Sequence, residues 1–450
     1  MGLMIKTKIQ DISWSFVSRG GQLGVQILIL PLILRMLSAG ELGLWYSFAG
    51  IMAFALLTTS VLEGTLARNF TYARAGAETI LSCGLSAPVQ AEMRPNAALC
   101  RRILCASAVV YWGLTLVFIL ILVSAGSFYI GYISKEISGN TKFYAWGLYV
   151  AYLLIYFHAC RWRMMLTAAG EVAAAQKILM AGEVIKLFSA AAVIFIPGSK
   201  LVMLCGTFAV SALLDLICGR MCFCRTVSGY VPAGFSFDGV RGILSEMWHN
   251  TWKLSINAAG TFCALNATGL LVAAYCGLDT AGSYGLSLQL ASAALTMASV
   301  PVLALMPELT ALCQLGDMQK LKKLFLRGIW FFVVFAAAAG VFILFAGTPL
   351  LEMLGSRGRL LPQGTLALLY LMLMLEKNHA LAATVIVAMN KVPFVWTGLI
   401  NGAVILLLVF WAAACRHAGI FTIVFIQFAV QLSFNNWYWP LYLRREIRRR

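Results

Sequence analysis

Four polar residues in the first apolar stretch share one helical face: Ser15, Arg19, Gln22 and Gln26. Their spacing of four, three and four residues places these side chains along one stripe of a helix. An arginine that faces lipid near the centre of a membrane costs at least about 2.5–3.5 kcal/mol, so we expect Arg19 to face protein or a water-filled cavity. Arg19 also lies near enough to one end of the stretch to reach the lipid headgroups, and the sequence leaves that alternative open.

Other ionisable residues also lie inside apolar stretches, where a charge is costly and therefore indicates function. They are Glu183, Lys186, Asp215, Glu376, Lys377 and His379. Glu183 and Lys186 lie three residues apart, so a self-neutralised pair on one helix is an equally good interpretation. The run 376–379 favours a cavity, because neighbouring helical residues point in different directions and cannot all pair with one another.

Uncharged polar and aromatic side chains allow two interpretations each. Gln427, Gln431 and Asn435 repeat at helical spacing, as do Asn257 and Thr261, and either a cavity or ordinary hydrogen bonds between helices explains them. Trp146, Tyr149 and Tyr156 have rings that suit stacking on sugars, but such residues more often form a core or an interfacial belt.

The composition of the chain indicates the class of protein in which these residues lie. Hydrophobic residues make up 61% of the chain and charged residues 11%, whereas about a quarter of an ordinary soluble domain is charged. We therefore predict an all-α polytopic membrane protein. The net charge of +17 comes from basic residues in short segments between apolar stretches, where they set helix orientation, so we expect no nucleic-acid partner.

The sequence shows no chemistry of a metalloprotein or an enzyme. Its 12 cysteines form no C-x-x-C pair and no zinc-type spacing with histidine. We find no recognisable nucleophile, acid pair or metal-ligand set. We therefore expect no metal, no cofactor and no catalytic residues.

Apolar runs of spanning length predict about twelve helices. They lie near 14–36, 42–62, 103–125, 143–160, 178–196, 201–219, 254–276, 284–306, 328–347, 364–388, 393–414 and 419–442. We expect residues 1–225 and 254–450 to form two six-helix lobes around a central cleft, joined by a cytoplasmic linker, 226–253, with an amphipathic segment at 240–248. A weak repeat supports two halves, because similar turns with Gly43 and Gly282 follow at nearly equal distances from Trp14 and Trp252.

Basic residues concentrate in the loops on one side of the predicted helices. Those assigned to the inner side include Arg68, Arg74, Arg161, Arg163, Lys320, Lys322, Lys323 and the arginines of the C-terminal tail. The excess of positive charge inside predicts that both termini are cytoplasmic. We expect no cleaved leader, because the first apolar stretch is longer than the core of a signal peptide.

The run from Ser18 to Tyr46 resembles the opening of polysaccharide flippases, which carry O-antigen and capsule repeat units in the multidrug/oligosaccharidyl-lipid/polysaccharide exporter superfamily. The similar segments read SRGGQ at 18–22 and LPLILRMLSAGELGLWY at 30–46. The family's loop after the second span is similar to the segment RNFTYARAG at 68–76. Its counterpart after the eighth span is similar to the segment LGD at 315–317. The specific motifs lie in residues 14–76, and topology extends the resemblance over the whole chain.

The resemblance implies a flippase that moves undecaprenyl-diphosphate-linked oligosaccharide from the inner to the outer leaflet of the bacterial inner membrane by alternating access. It also implies a glycan polymerase and chain-length machinery as partners. Related carriers have an arginine in the first span, and that substrate-binding role is carried over to Arg19.

Because cations neutralise a diphosphate, we expect further substrate-binding residues among the polar groups of the spans: Gln22, Gln26, Lys186, Lys377 and His379. Glu183, Asp215 and Glu376 are candidates for coupling transport to Na⁺ or H⁺, and the membrane potential alone is an equally open driving force.

Other functions of similar topology stay open. A cation-coupled multidrug exporter of the same superfamily carries cationic cargo, which favours unpaired acidic residues in the site. A flippase for a peptidoglycan precursor has the same topology. A membrane glycan polymerase or ligase is expected to present a substantial outer loop, whereas the longest outer loops here, near 126–142 and 348–363, are short.

Overall fold

The computed structural model of the 450-residue chain describes residues 9–74, 76–78, 95–135, 137, 139–227, 240–315, 317–356, 358–389 and 393–449. These residues form fifteen α-helices and no strand. Ten helical segments of the described chain are long and apolar enough to cross a membrane. The prediction of an all-α polytopic membrane fold is confirmed.

The helices follow the predicted apolar runs. The first seven are α1 (Ile9–Met36), α2 (Ala39–Arg74), α3 (Ala97–Ile121), α4 (Ser127–Ile133), α5 (Thr141–Ala168), α6 (Val172–Val193) and α7 (Lys200–Thr226). The other eight are α8 (Val240–Tyr275), α9 (Leu278–Ala304), α10 (Met306–Leu315), α11 (Met318–Met353), α12 (Gln363–Ala388), α13 (Val395–Arg416), α14 (Ile420–Ser433) and α15 (Asn435–Arg449). A π-helical turn over Leu122–Gly126 joins α3 to α4.

Helix α5 is longer than the apolar run that predicts it. It continues to Ala168. Gly170 follows the helix end, and its φ of 83° suits a glycine at that position. Arg161 and Arg163 therefore lie inside the helix, with only 7% and 9% of their surface exposed. Their assignment to an inner loop is wrong, because the apolar run ends at the arginines whereas the helix does not.

Helix α8 begins at Val240, well before the span predicted from residue 254. The amphipathic segment 240–248 is thus the first part of the same helix. No proline occurs in α8, so nothing in its backbone interrupts the hydrogen-bond ladder. Residues 228–239, which belong to the predicted linker, lie outside the described residues.

The contacts divide the chain into two compact units, which we describe separately. Unit 1 comprises Met1–Met36 and Met52–Ala258, and unit 2 comprises Leu37–Ile51 and Ala259–Arg450. In unit 1, α5 packs along α7, and α6 packs against both α1 and α7. In unit 2, α9 packs against α11, and α12 against α14 and α15.

Glycines let helices of unit 2 approach to backbone contact. A Cβ on Gly43 of α2 would overlap the carbonyl group of Leu278 in α9, and one on Gly282 would lie 3.2 Å from the carbonyl oxygen of Ala39. Gly43 and Gly282 are the glycines of the two similar turns noted in the sequence. Close crossings at small residues replace the hydrophobic driving force that helices lack within lipid.

The Gly43 contact predicts a sensitive position. Gly43→Ala should destabilise the protein by about 1–3 kcal/mol, because the added methyl group meets backbone that cannot rotate away. The matched control is Gly64→Ala in the same helix, where a Cβ has no neighbour within 4 Å. Thermal unfolding of the purified variants in detergent measures the effect. Equal melting temperatures for the two variants would contradict the close contact.

Candidate functional site

In the described part of unit 1, two ion pairs lie inside the helical bundle. Arg163 of α5 pairs with Asp215 of α7, and their side chains are 10% and 5% exposed. The Arg163 guanidinium also lies over the ring of Tyr156, 5.1 Å from its centroid. On α6, Nζ of Lys186 lies 2.8 Å from Oε1 of Glu183. Each pair holds two opposite charges away from water, where either charge alone would be strongly unfavourable.

A small cavity separates these two pairs. Its lining includes Tyr152, Glu183, Lys186, Ser211 and Asp215, and its volume of about 10 Å³ is close to that of one water molecule. The Oδ1 atom of Asp215 is buried and has no hydrogen-bond partner, whereas the Ser211 hydroxyl donates to the Gly182 carbonyl. An unpaired carboxylate oxygen beside such a space can accept a proton or ligate a small cation.

One further charge extends this cluster. Glu63 of α2 interacts electrostatically with Arg163, so three carboxylates face two cations among Glu63, Arg163, Glu183, Lys186 and Asp215. Arg161 instead uses neutral acceptors of α3. Its Nε donates to the Ser107 hydroxyl at 2.9 Å and its Nη2 to the Leu104 carbonyl at 3.2 Å.

The predicted polar stripe of α1 is only partly described. Arg19 lies in α1, but its side chain, like that of Ser15, lies outside the described residues. Nε2 of Gln22 donates to the Ser18 hydroxyl at 3.2 Å within the same helix. Gln26 is exposed. The described atoms therefore bring Gln22 and Ser18 together and leave Gln26 apart from them.

The second group of predicted residues lies on α12 in unit 2, and all three are half-buried. Nδ1 of His379 lies 3.2 Å from Oδ1 of Asn436 in α15, so the imidazole donates this hydrogen bond from Nδ1. Glu376 and Lys377 interact electrostatically but form no ion pair within the described residues. A cavity of about 520 Å³ in this unit is lined by Asn378 and by none of these three residues.

In the predicted stripe, Oε1 of Gln431 is buried without a hydrogen-bond partner among the described residues, whereas Gln427 forms hydrogen bonds between helices. It is fully buried in α14, and its Nε2 donates to the Ala264 carbonyl and the Thr268 hydroxyl of α8, both at 2.9 Å. Its Oε1 accepts from the Tyr284 hydroxyl of α9 at 3.3 Å. One amide therefore joins three helices and uses both of its donor hydrogens within the protein.

Sequence reasoning missed Arg161, Arg163 and Glu63. A signal was present, since Arg163 lies one helical turn beyond the apolar end of its run and Asp215 lies in the middle of another. Opposite charges in two apolar runs indicate a pair between helices. Their proximity, however, depends on the packing of α5 along α7, which no local pattern contains.

No protein-family model and no curated protein sequence matches this chain. Its fold is similar to several solved structures at low identity. An inward-facing multidrug resistance transporter of the MATE family, in the MOP superfamily, has 13% identity, covers 94% of both chains and superposes with a TM-score of 0.71. The lipid II flippase MurJ, in an inward closed conformation, has 12% identity over 98% of this chain and 88% of its own, with a TM-score of 0.63.

A MOP superfamily transporter from Pyrococcus furiosus, described as having a binding pocket of reverse polarity, is also similar. It has 14% identity, covers 99% of this chain and 98% of its own, and gives a TM-score of 0.57. At these identities the likeness shows that this chain has the helical fold of such transporters.

The Arg163–Asp215 pair predicts a strong coupling between two helices. Arg163→Gln should cost about 3–5 kcal/mol of stability, because it leaves a buried carboxylate without its cation. Arg163→Gln with Asp215→Asn should recover part of this loss, since both charges are then absent. The control is Lys320→Gln, which breaks the exposed pair with Asp317 and should change little. Melting temperatures of the purified variants test this, and an additive double variant would refute the coupling.

Proposed function

We propose that this chain is a flippase that moves oligosaccharide linked to undecaprenyl diphosphate from the inner to the outer leaflet of the bacterial inner membrane. Both termini are then cytoplasmic, as the distribution of basic residues predicts. The likeness of the fold to transporters and to a lipid II flippase supports carriage across the bilayer. The resemblance of residues 14–76 to polysaccharide flippases supports a lipid-linked glycan as the cargo.

The pairing of Glu183 and Asp215 in unit 1 is the observation that carries this proposal. A cationic drug needs unpaired carboxylates. Glu183 and Asp215, both inside apolar helices, already have cationic partners in Lys186 and Arg163. Lys377, in contrast, forms no ion pair within the described residues and is available to an anion.

We assign the recognition of the diphosphate to Arg19 and Lys377, with Gln22, Gln26 and His379 as hydrogen-bonding groups. A guanidinium and an ammonium both form charge-assisted hydrogen bonds with phosphate oxygens. Lys186 joins this set only when its contact with Glu183 opens. The partners implied by such a cargo are a glycan polymerase and the chain-length machinery.

The membrane potential favours this direction of transport. Moving two negative charges outward through an inside-negative potential of 100 mV releases about 4–5 kcal/mol. Coupling to Na⁺ or H⁺ is a further contribution, for which we propose Asp215, Glu183 and Glu376. The excess of one carboxylate in the unit 1 cluster and the unpaired Oδ1 of Asp215 support a site for one proton or small cation.

A multidrug exporter is the second candidate, and a specific observation favours it. Glu63 and Glu376 form no ion pair within the described residues, so two carboxylates remain for a cationic cargo. One experiment distinguishes the two candidate functions, because a drug exporter confers resistance to lipophilic cations and does not restore a surface polysaccharide.

The proposal predicts the effect of removing the α1 arginine. In a strain that lacks its repeat-unit flippase and supplies a compatible glycan, the wild-type chain should restore surface polysaccharide. Arg19→Ala should abolish this activity at normal membrane levels, because it removes a cation for the diphosphate, and Arg19→Lys should retain part of it. Surface polysaccharide on gels and by immunostaining gives the measurement.

The matched control is Arg35→Ala, which removes an exposed arginine at the end of the same helix and should leave activity unchanged. Full activity of Arg19→Ala would remove Arg19 from the site. Resistance to lipophilic cations without any restored polysaccharide would establish the multidrug exporter instead.

A further inference from the structure

A second cavity in unit 2, of about 310 Å³, has a lining of different chemistry. It lies among the beginning of α2, the middle of α8 and the first half of α9. Its aromatic and polar lining residues are Trp45, Tyr46, Asn266, Tyr284, Gln289 and Ser292. None of its lining residues is charged.

Hydrogen bonds hold the walls of this cavity in place. The Tyr46 hydroxyl donates to Oε1 of Gln289 at 2.7 Å, which fixes both side chains across α2 and α9. Tyr284 is only 1% exposed, and its hydroxyl donates to Gln427, which α8 in turn holds at two acceptors. A pre-organised wall loses little conformational entropy when a ligand binds.

Glycines allow the aromatic rings of this cavity to pack directly against the backbone of neighbouring helices. A Cβ on Gly285 would overlap the ring of Tyr46, and one on Gly269 would lie 3.6 Å from the ring of Tyr284. Both glycines line the cavity, so the rings and the bare helix backbone form its surface together. Such a surface suits a compact ligand with a flat apolar face.

Polar groups of the lining keep unused hydrogen-bonding capacity. Asn266 is half-buried and its side chain makes no hydrogen bond with any described residue, so the side-chain amide offers two donor hydrogens and an acceptor oxygen. The Oε1 atom of Gln289 is used by Tyr46, which leaves its Nε2 as a donor. Ser292 is exposed, and its hydroxyl has the capacity to donate one hydrogen bond and to accept others.

This combination matches a neutral sugar. A pyranose ring has a face of C–H groups that stacks on aromatic rings and a rim of hydroxyls that donate and accept. A lipophilic cation would find no carboxylate in the lining, and a phosphate would find no cation. The volume lies at the lower end of the range for ligand pockets, roughly 300–1,000 Å³, which suits a single sugar better than a whole repeat unit.

Two of the three aromatic residues of α5 that the sequence singled out are less suitable for sugar binding. Trp146 and Tyr149 are each 3% exposed, and the Tyr149 hydroxyl contacts the sulfur of Met52. They form part of the core of unit 1. The stacking surface available within the described residues therefore includes the cavity of unit 2.

We propose that this cavity binds one uncharged pyranose of the carried glycan. The inference rests on the proposed function and deepens it, because it adds a sugar-binding subsite in unit 2 to the recognition of the diphosphate. Tyr46, which is half-buried, supplies the stacking face. Asn266, Gln289 and Ser292 supply the hydrogen bonds.

Saturation-transfer difference NMR on the purified full-length protein tests this subsite. The probes are free glucose, galactose and N-acetylglucosamine, and the detergent must lack a sugar headgroup. Saturation should transfer from the wild-type protein to ring protons of at least one sugar. Asn266→Leu should lose most of that signal, and Asn266→Ala, which adds no bulk, should lose it as well.

The matched control is Asn401→Leu, the same substitution at a half-buried asparagine of α13 that does not line the cavity. It should keep the wild-type signal. Sugar binding that survives both Asn266 variants, or no signal for any sugar, would overturn the subsite. Saturation transfer to tetraphenylphosphonium alone, lost in the Asn266 variants, would assign the cavity to cations and equally overturn it.

Failure of this inference is distinguishable from failure of the proposed function. Restored surface polysaccharide without sugar binding would remove the subsite and leave the flippase. Sugar binding lost in the Asn266 variants, without any restored polysaccharide, would leave the subsite and remove the flippase.

Discussion

The low polarity of the surroundings is the constraint on which this structure depends, because a charge inside an apolar helical bundle needs a partner within the protein. Arg163 and Asp215 meet this requirement between α5 and α7, and Glu183 and Lys186 meet it within α6. The same rule applies to neutral groups, as Gln427 shows by joining α8, α9 and α14 with one side chain. Polar atoms without a hydrogen-bond partner in the described part of the chain, among them Oδ1 of Asp215 and the side-chain amide of Asn266, are therefore the positions at which function is expected.

The two units accommodate polar groups in the apolar bundle in different ways. Unit 1 concentrates paired charges around a cavity of about 10 Å³, which has room for a proton or a small ion and for nothing larger. Unit 2 contains a half-buried Lys377 without an ion pair in its described part, together with an uncharged aromatic and amide cavity of about 310 Å³. A lipid-linked glycan carries both an anionic diphosphate and neutral sugars, so it needs both kinds of group. In the proposed function, charge supplies the driving force and the sugar contacts contribute specificity.

Much of the fold was predictable from the sequence, and less of the site was. Apolar runs located the helices because a span must be apolar over its whole length. Local pairs such as Glu183 with Lys186 were also among the predicted alternatives, since a helix brings residues three apart together. The burial of Arg161 and Arg163 was not predicted, because hydropathy ends a span at the first charge whereas the helix continues to Ala168. The cavity that Tyr46 and Gln289 line was not predicted either, because these residues meet only when α2 and α9 pack at Gly43 and Gly282.

Transbilayer movement of the cargo tests the central claim most directly. The protein is reconstituted in liposomes that contain a fluorescent oligosaccharide linked to undecaprenyl diphosphate, and a membrane-impermeant quencher reports the exposed leaflet. The account predicts that the wild-type protein accelerates exchange between leaflets and that a potential attracting anions to the receiving side increases the net transfer. Exchange no faster than in empty liposomes, with transport of a lipophilic cation in the same preparation, would contradict it.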